Sequence, residues 1–167
     1  FDDYVLSNAY EVTVTLAKPS SSASSPTYGN SGSIYVDFTS TGVGETGIAS
    51  TSLWYNKDNA GWVDSSLTLT GTSGTFTFTP SGDGSYEFYT IAIDNAGNVE
   101  DAPLFADSTT IYDTTAPTTE IDFTDPSYED GDLFVTSNTM FSLSTAFDLS
   151  GIAATYYTID DSDPILY

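Results

Sequence analysis

An internal repeat constrains the fold of this chain more than any other feature of its sequence. The stretch Phe38–Thr41 leads into Gly47–Thr51, and the stretch Leu143–Ala146 leads into Gly151–Thr155 in the same way. Both copies end in a Gly-Ile-Ala-small-Thr step that precedes aromatic residues. Because self-similarity at a fixed spacing marks a repeated structural unit, we expect the chain to contain two related modules.

A second match lies upstream of the first. Val12–Ser20 alternates between apolar and polar residues and then turns, and Glu120–Ser127 does the same. Both matches give a period of roughly one hundred residues, which is the size of one immunoglobulin-like β-sandwich. We therefore predict an all-β protein of tandem immunoglobulin-like β-sandwich modules, the second of which is incomplete within this chain.

Alternation of apolar and polar residues predicts the strands. In the first module they lie near 10–17, 33–39, 48–56, 65–70, 74–79, 85–93 and 108–112, and in the second near 118–123, 132–136, 139–146 and 152–159. The strand at 85–93 carries bulky residues on both faces, so we expect it to be central in its sheet. Ser81–Gly84 predicts a hairpin turn, because glycine permits positive φ.

These patterns divide the chain into an N-terminal extension or donor strand (1–9), a complete sandwich (10–113), a linker (114–117) and the N-terminal half of a second module (118–167). The first module continues for about fifty residues beyond the point at which the second stops, and a sandwich needs those strands to cover its core. We therefore expect the chain to be a fragment of a longer array, or to receive the remaining strands from another chain.

The unpaired edge of such a half-module is a template for strand addition. The candidate strand donor is the N-terminal segment that contains Phe1, Tyr4, Val5 and Leu6, because this segment has no counterpart in the repeat. The alternative interpretation is a linker that follows a preceding module, and the sequence leaves both open.

Composition argues against most catalytic chemistry. The chain has 24 acidic residues and two basic residues, Lys18 and Lys57, for a net charge of -22, and it lacks histidine, cysteine and arginine. It therefore offers no Ser-His-Asp triad, cysteine nucleophile or ordinary zinc site, and we predict that it is not an enzyme. A two-carboxylate glycosidase stays formally open, with solvated surface acids as the favoured alternative. The acidic surface repels nucleic acids and anionic lipids, and the apolar runs are too short for membrane insertion.

Several segments are similar to one family of proteins. Tyr89–Glu100 resembles the closing strand and loop of bacterial and archaeal immunoglobulin-like surface repeats, and Asp113–Thr119 resembles their linker. Phe134–Leu143, followed by Ser150–Ala153, resembles the opening half of the next repeat. The resemblance covers most of residues 30–160.

This resemblance implies an extracellular protein of a prokaryotic cell surface, with an archaeal source favoured. Together with this resemblance, the repeat, the incomplete second module and the lack of catalytic residues favour a structural subunit or module of a surface assembly such as a filament, an S-layer or a stalk. We expect its units to be joined by strand complementation and calcium. Its partners would be other copies of itself or neighbouring immunoglobulin-like modules. The alternative is an adhesin or carbohydrate-binding module, with cell-surface glycans as partners, because such modules serve several functions.

The candidate metal ligands are Asp94, Asn95, Asn98, Glu100 and Asp101. They gather carboxylates and amides at the end of a predicted strand, and calcium takes six to eight oxygen ligands of this kind. The resemblance implies calcium near the module junctions. The alternative is a turn in which Asp94 and Asn98 bond nearby backbone amides. Two further acidic clusters, which we expect to be solvated loops, contain Asp125, Glu129, Asp130 and Asp132 in one and Asp160, Asp161 and Asp163 in the other.

The two tryptophans flank the predicted turn Asp58–Gly61. We expect Trp54 to be the core tryptophan of an immunoglobulin-like strand C, and Trp62 to be exposed and a candidate sugar contact. The serine-rich stretch Ser20–Thr27 is expected to be a flexible loop, with attachment of O-linked sugars as the alternative.

Overall fold

The computed structural model of the chain describes residues 17–43, 47–124, 127–130, 132–159 and 162–167. The candidate donor residues Phe1, Tyr4, Val5 and Leu6 therefore lie outside the described residues, as does all but the last residue of the strand predicted near 10–17. We call residues 17–113 the first unit and residues 118–167 the second unit.

The described residues form β-strands and no helix. The strands are β1 (Ser20–Ser24), β2 (Tyr28–Gly29), β3 (Ile34–Thr41), β4 (Ile48–Lys57), β5 (Trp62–Leu69), β6 (Ser73–Phe78), β7 (Gly84–Asp94), β8 (Ser108–Tyr112), β9 (Thr119–Phe123), β10 (Ser127–Asp130), β11 (Asp132–Val135), β12 (Phe141–Thr145), β13 (Tyr156–Tyr157) and β14 (Ile165–Leu166). The all-β prediction is confirmed.

The first unit is a two-sheet β-sandwich. One sheet has the strand order β1-β3-β6, and the other has the order β2-β8-β7-β4-β5. Strict alternation along β3 turns every second side chain inward, so that Ile34, Val36 and Phe38 are buried while Tyr35 is exposed. The side chains packed between the sheets are Ala23, Ile34, Val36, Phe38, Leu53, Phe76, Phe78, Tyr86, Phe88 and Tyr112. Burial of each large side chain contributes about 1.5–3 kcal/mol, and the conformational entropy of the chain opposes it.

The strand β7 is the middle strand of the five-stranded sheet, as its bulky residues on both faces predict. Its inner residues Tyr86 and Phe88 are fully buried, and Tyr89 on the outer face is 5% exposed. The Tyr86 hydroxyl donates to the Gly82 carbonyl at 2.7 Å. This contact ties the strand to the turn before it, where Gly82 and Gly84 have positive φ. The turn predicted at Ser81–Gly84 is present, but the prediction that it is a hairpin is wrong, because it connects β6 of the three-stranded sheet with β7 of the five-stranded sheet.

The serine-rich segment corrects one prediction of the sequence. Ser20–Ser24 is a strand rather than part of a flexible loop, and it pairs with β3 from Ser20↔Thr41 to Ser24↔Asp37. On this side the neighbour of β3 is β1, while residues 12–16 of the upstream match lie outside the described residues. Small hydroxyl side chains suit this position, and Ala23 alone packs deep into the core.

The described residues of the second unit form three two-stranded sheets, β9–β12, β10–β11 and β13–β14. The strands predicted near 118–123, 132–136 and 139–146 are present as β9, β11 and β12. The strand predicted near 152–159 is reduced to Tyr156–Tyr157, while β10 and β14 were not predicted. Across this unit large apolar side chains stay exposed, and Phe147 reaches 92%.

Candidate functional site

The second unit presents an apolar surface to solvent, which we call the open face. Ile121 is 61% exposed and Phe141 is 50% exposed, whereas Leu53 and Phe88 in the first unit are fully buried. Contiguous exposed apolar surface of this kind is typical of interaction sites and of ligand-binding grooves. The face forms a groove of about 600 Å³ lined by Ile121, Phe141, Leu143, Tyr157, Thr158, Ile159 and Tyr167.

The linker between the units is fixed by carboxylates. Asp83, in the turn before β7, accepts hydrogen bonds from the Thr114 N–H at 2.9 Å and the Thr114 hydroxyl at 2.8 Å. It also accepts one from the Thr115 hydroxyl at 2.6 Å. Asp113 accepts one from the Thr115 N–H at 3.0 Å and another from the Ser150 N–H of the second unit at 2.9 Å. We call this arrangement the linker latch.

The latch favours the ionised form of both carboxyl groups. The Thr115 hydroxyl, followed by the Thr114 N–H and hydroxyl, holds the pKa of Asp83 below its ordinary value of 3.8. The Thr115 N–H does the same for the pKa of Asp113, and the Ser150 N–H adds to it. Hydrogen bonds to a charged carboxylate stabilise that form, so the latch is complete when both groups are ionised.

The predicted metal ligands divide into separate contacts. Asp94 is 1% exposed, and its Oδ1 accepts from the Ala96 N–H at 3.0 Å and the Asn98 N–H at 2.8 Å. Its Oδ2 accepts from the Asn98 side-chain amide at 2.8 Å. The Asn95 N–H donates to the Gly47 carbonyl at 3.4 Å. The structure therefore brings Asp94 and Asn98 together in the turn that was the alternative to a metal site.

Glu100 lies against the first strand instead of against Asp94. Its carboxylate accepts from the Ser21 N–H at 2.7 Å, from the Ser21 hydroxyl at 2.5 Å and from the Ala92 N–H at 2.8 Å. Ser21 belongs to β1 and Ala92 to β7. A single carboxylate thus joins an edge of one sheet to a strand of the other.

Asp107 makes the same kind of bridge two residues away on each strand, at Ala23 of β1 and Thr90 of β7. Its Oδ2 accepts from the Ala23 N–H of β1 at 2.9 Å and from the Thr90 N–H of β7 at 3.3 Å. Burial raises the pKa of Asp107, and the neighbouring Glu100 charge adds to the effect. Sequence reasoning missed this residue, because an isolated Asp before a strand gives no signal. We call Glu100 and Asp107 the carboxylate bridge.

The remaining acidic residues do not converge on one point. Asp101 is exposed and forms an ion pair with Lys18. Within the described residues, no group of three or more carboxylates is arranged to hold a metal ion. The two further acidic clusters are described only in part. Asp163 is exposed, and Asp125, Asp160 and Asp161 lie outside the described residues. Glu129 and Asp130 belong to β10, and Asp132 belongs to β11. Calcium binding stays a prediction, which a calcium titration with Asp94→Asn as the comparison variant tests.

An aromatic cluster lies on the outer face of the five-stranded sheet. Trp54 and Tyr89 stack with ring centroids 6.0 Å apart, and the Trp62 ring lies 4.3 Å from that of Tyr89. The expectation that Trp54 is a core residue is wrong. Leu53 and Tyr55 turn towards the core, so alternation along β4 places the half-buried Trp54 on the opposite face.

Trp62 is 37% exposed and is held in place by the turn before it. The Gly61 N–H donates to the Asn56 side-chain oxygen at 2.9 Å, and Asn56 also donates to Glu87 at 2.9 Å. Asp58, Asn59 and Gly61 all have positive φ, which confirms the predicted turn. The cluster therefore has one solvent-facing indole with fixed polar neighbours.

Comparison with protein-family models, curated proteins and solved structures finds no match to this chain. In the part of the chain that the structure describes, no helix could span a lipid bilayer.

Proposed function

We propose that the protein is a structural subunit or module of an extracellular surface assembly, such as a filament, an S-layer or a stalk. The observation that carries the proposal is the open face beside a fully packed first unit. The sandwich core of the first unit is closed, with Val36, Leu53 and Phe88 fully buried. The open face leaves comparable side chains in water, so covering it with a neighbouring segment is favourable.

The strand arrangement supports the finer interpretation of an immunoglobulin-like module. A three-stranded sheet packs on a five-stranded one, with β2 parallel to β8 and the other strand pairs antiparallel. The Tyr86 hydroxyl bonds back to Gly82, which matches the tyrosine corner of immunoglobulin-like sandwiches. Gly47 and Gly151, the first residues of the repeated step, both have positive φ, and this supports a tandem of related modules.

The partners in this proposal are other copies of the chain or neighbouring immunoglobulin-like modules at the cell surface. Strand complementation joins them, and calcium binding at Asp94–Asp101 remains part of the proposal. The N-terminal segment with Phe1, Tyr4, Val5 and Leu6 remains the candidate donor.

Sedimentation velocity over a range of protein and salt concentrations tests the proposal. We expect self-association that strengthens with salt, because salt screens the repulsion between copies with a net charge of -22 and leaves apolar contact intact. Phe141→Glu should abolish association, and Tyr4→Asp should weaken it if the N-terminal segment is the donor. The matched control is Tyr35→Glu, since Tyr35 is 58% exposed on the first unit and should not matter. A chain that stays monomeric under all conditions would refute the proposal.

The aromatic cluster supports a second candidate function, an adhesin or carbohydrate-binding module. Trp62 offers a partly exposed indole on which a pyranose ring could stack. Glu87 lies on the same face of the sheet as a polar group for hydroxyls, and the buried Asn56 holds it in place. A glycan array followed by calorimetry tests this function. Binding should be lost in Trp62→Ala and retained in Tyr35→Ala, and an array without hits would remove the candidate.

A further inference from the structure

The first unit shows what lies beside a strand in the position of β12. The strand β3 is flanked on both sides, by β1 and by β6, whereas in the described part of the chain β12 has β9 as its one strand neighbour. The repeat aligns Phe38 of β3 with Leu143 of β12. Their partners on the first side correspond, because Phe38 lies opposite Ala23 and Leu143 lies opposite Ile121.

On its other side, β12 has backbone amides that no neighbouring strand bonds in the described part of the chain. The Thr124 N–H donates to the Met140 carbonyl at 3.0 Å, and the Ala146 N–H donates to the Thr118 carbonyl at 3.0 Å. Hydrogen-bonded pairs alternate along an antiparallel ladder, so the even-numbered amides of β12 face β9. The amides at the odd-numbered positions, which are Phe141, Leu143 and Thr145, face the opposite edge.

The corresponding amides of β3 bond to β6. The Ser40 N–H donates to the Thr72 carbonyl at 2.8 Å, and the ladder continues with Gly74 opposite Phe38 and Phe76 opposite Val36. In the second unit the Leu143 N–H donates instead to the Tyr167 hydroxyl at 3.4 Å in an exposed position. A side-chain hydroxyl thus stands where β3 has the carbonyl of a neighbouring strand.

We propose that the unpaired edge of β12 receives one extended strand, antiparallel to β12 and in the register that β6 has on β3. The strand carries a small residue opposite Leu143 and a bulky apolar residue opposite Phe141, as Gly74 and Phe76 do on β3. It displaces the Tyr167 hydroxyl, and its apolar side chains enter the groove of the open face. This inference rests on the proposed function and adds the edge, the direction and the side-chain pattern of the partner.

A synthetic peptide with the β6 sequence Thr72–Thr79 tests the inference on the full chain. We expect it to protect the amides of Phe141, Leu143 and Thr145 from hydrogen exchange, measured by NMR at low salt, while protection of the even-numbered amides changes little. A control peptide with serine in place of both phenylalanines should protect none of them.

Two substitutions in the chain sharpen the test. Tyr167→Phe removes the competing hydroxyl, so peptide affinity should rise about two- to tenfold, the value of one hydrogen bond. Thr145→Pro removes one edge donor and should weaken binding by a similar factor, because the proline has no N–H. Thr145→Ala keeps the donor and should bind within about twofold of the parent chain.

The outcomes separate this inference from the proposed function. Self-association without protection of the three odd-numbered amides by the β6 peptide would overturn the edge assignment and leave the assembly role standing. Loss of both self-association and peptide binding would overturn both. Protection of the three amides together with inhibition of self-association by the peptide would support both.

Discussion

Replacing Glu100 with alanine should destabilise the first unit more than any other single change at a partly exposed acidic residue. The substitution leaves the Ser21 N–H, the Ser21 hydroxyl and the Ala92 N–H without their acceptor. Ala92 is fully buried, so its N–H cannot turn to water. An unsatisfied buried donor costs about 1–3 kcal/mol, and the loss at Ser21 adds a smaller amount because β1 is an edge strand. We therefore expect a loss of about 2–4 kcal/mol.

Urea denaturation followed by tryptophan fluorescence measures this loss. Trp54 and Trp62 are the two tryptophans of the chain and both lie in the first unit, so the signal reports on that unit. The matched control is Asp101→Ala, which removes the adjacent carboxylate and its exposed ion pair with Lys18. Such surface pairs contribute about 0–1 kcal/mol. Equal effects of the Glu100 and Asp101 substitutions would refute the idea that the carboxylate bridge holds β1 to β7.

Three further predictions concern pH, the linker and the core. Burial raises the pKa of Asp107, so the folded state binds its proton more tightly than the unfolded state does. The free energy of unfolding should therefore fall as pH rises from 3.8 through the raised pKa. Urea titrations at several pH values measure this fall, and Asp107→Asn should remove the contribution of Asp107 to it. Hydrogen bonds from Thr115 and Thr114 lower the pKa of Asp83, so the linker latch should hold above pH 3.8 and open as pH falls through the lowered pKa. Asp83→Ala should widen the distribution of distances between the two units in X-ray scattering at neutral pH. Phe88→Ala should cost about 3–5 kcal/mol, whereas Leu104→Ala, at a site of the first unit that is 93% exposed, should change stability by less than about 0.5 kcal/mol in the same assay.

The sequence was most informative where alternation is strong. The strands β3, β7 and β8 lie within a residue or two of their predicted positions, because aromatic and β-branched residues recur at every second position. It was least informative for β1. Ser, Ala and Ser in succession have no hydrophobic period, and the strand exists because β3 and the carboxylate bridge satisfy its backbone.

The candidate sites could be predicted only in part. The turn before Trp62 followed from Asp58–Gly61. The side of the sheet on which Trp54 lies depended instead on a register that the sequence left open. A one-residue change of register exchanges the two faces of a strand. Asp107 and Asp83 bind partners far along the chain, and such contacts leave no local pattern.

The parallel pairing of β2 with β8 determines how the first unit would respond to tension along the chain. The Ile111 N–H donates to the Thr27 carbonyl and the Asp113 N–H to the Gly29 carbonyl, both at 2.9 Å. Pulling the two ends of the unit apart drives these parallel strands past each other lengthwise. The hydrogen bonds are then loaded together in shear and do not open one after another.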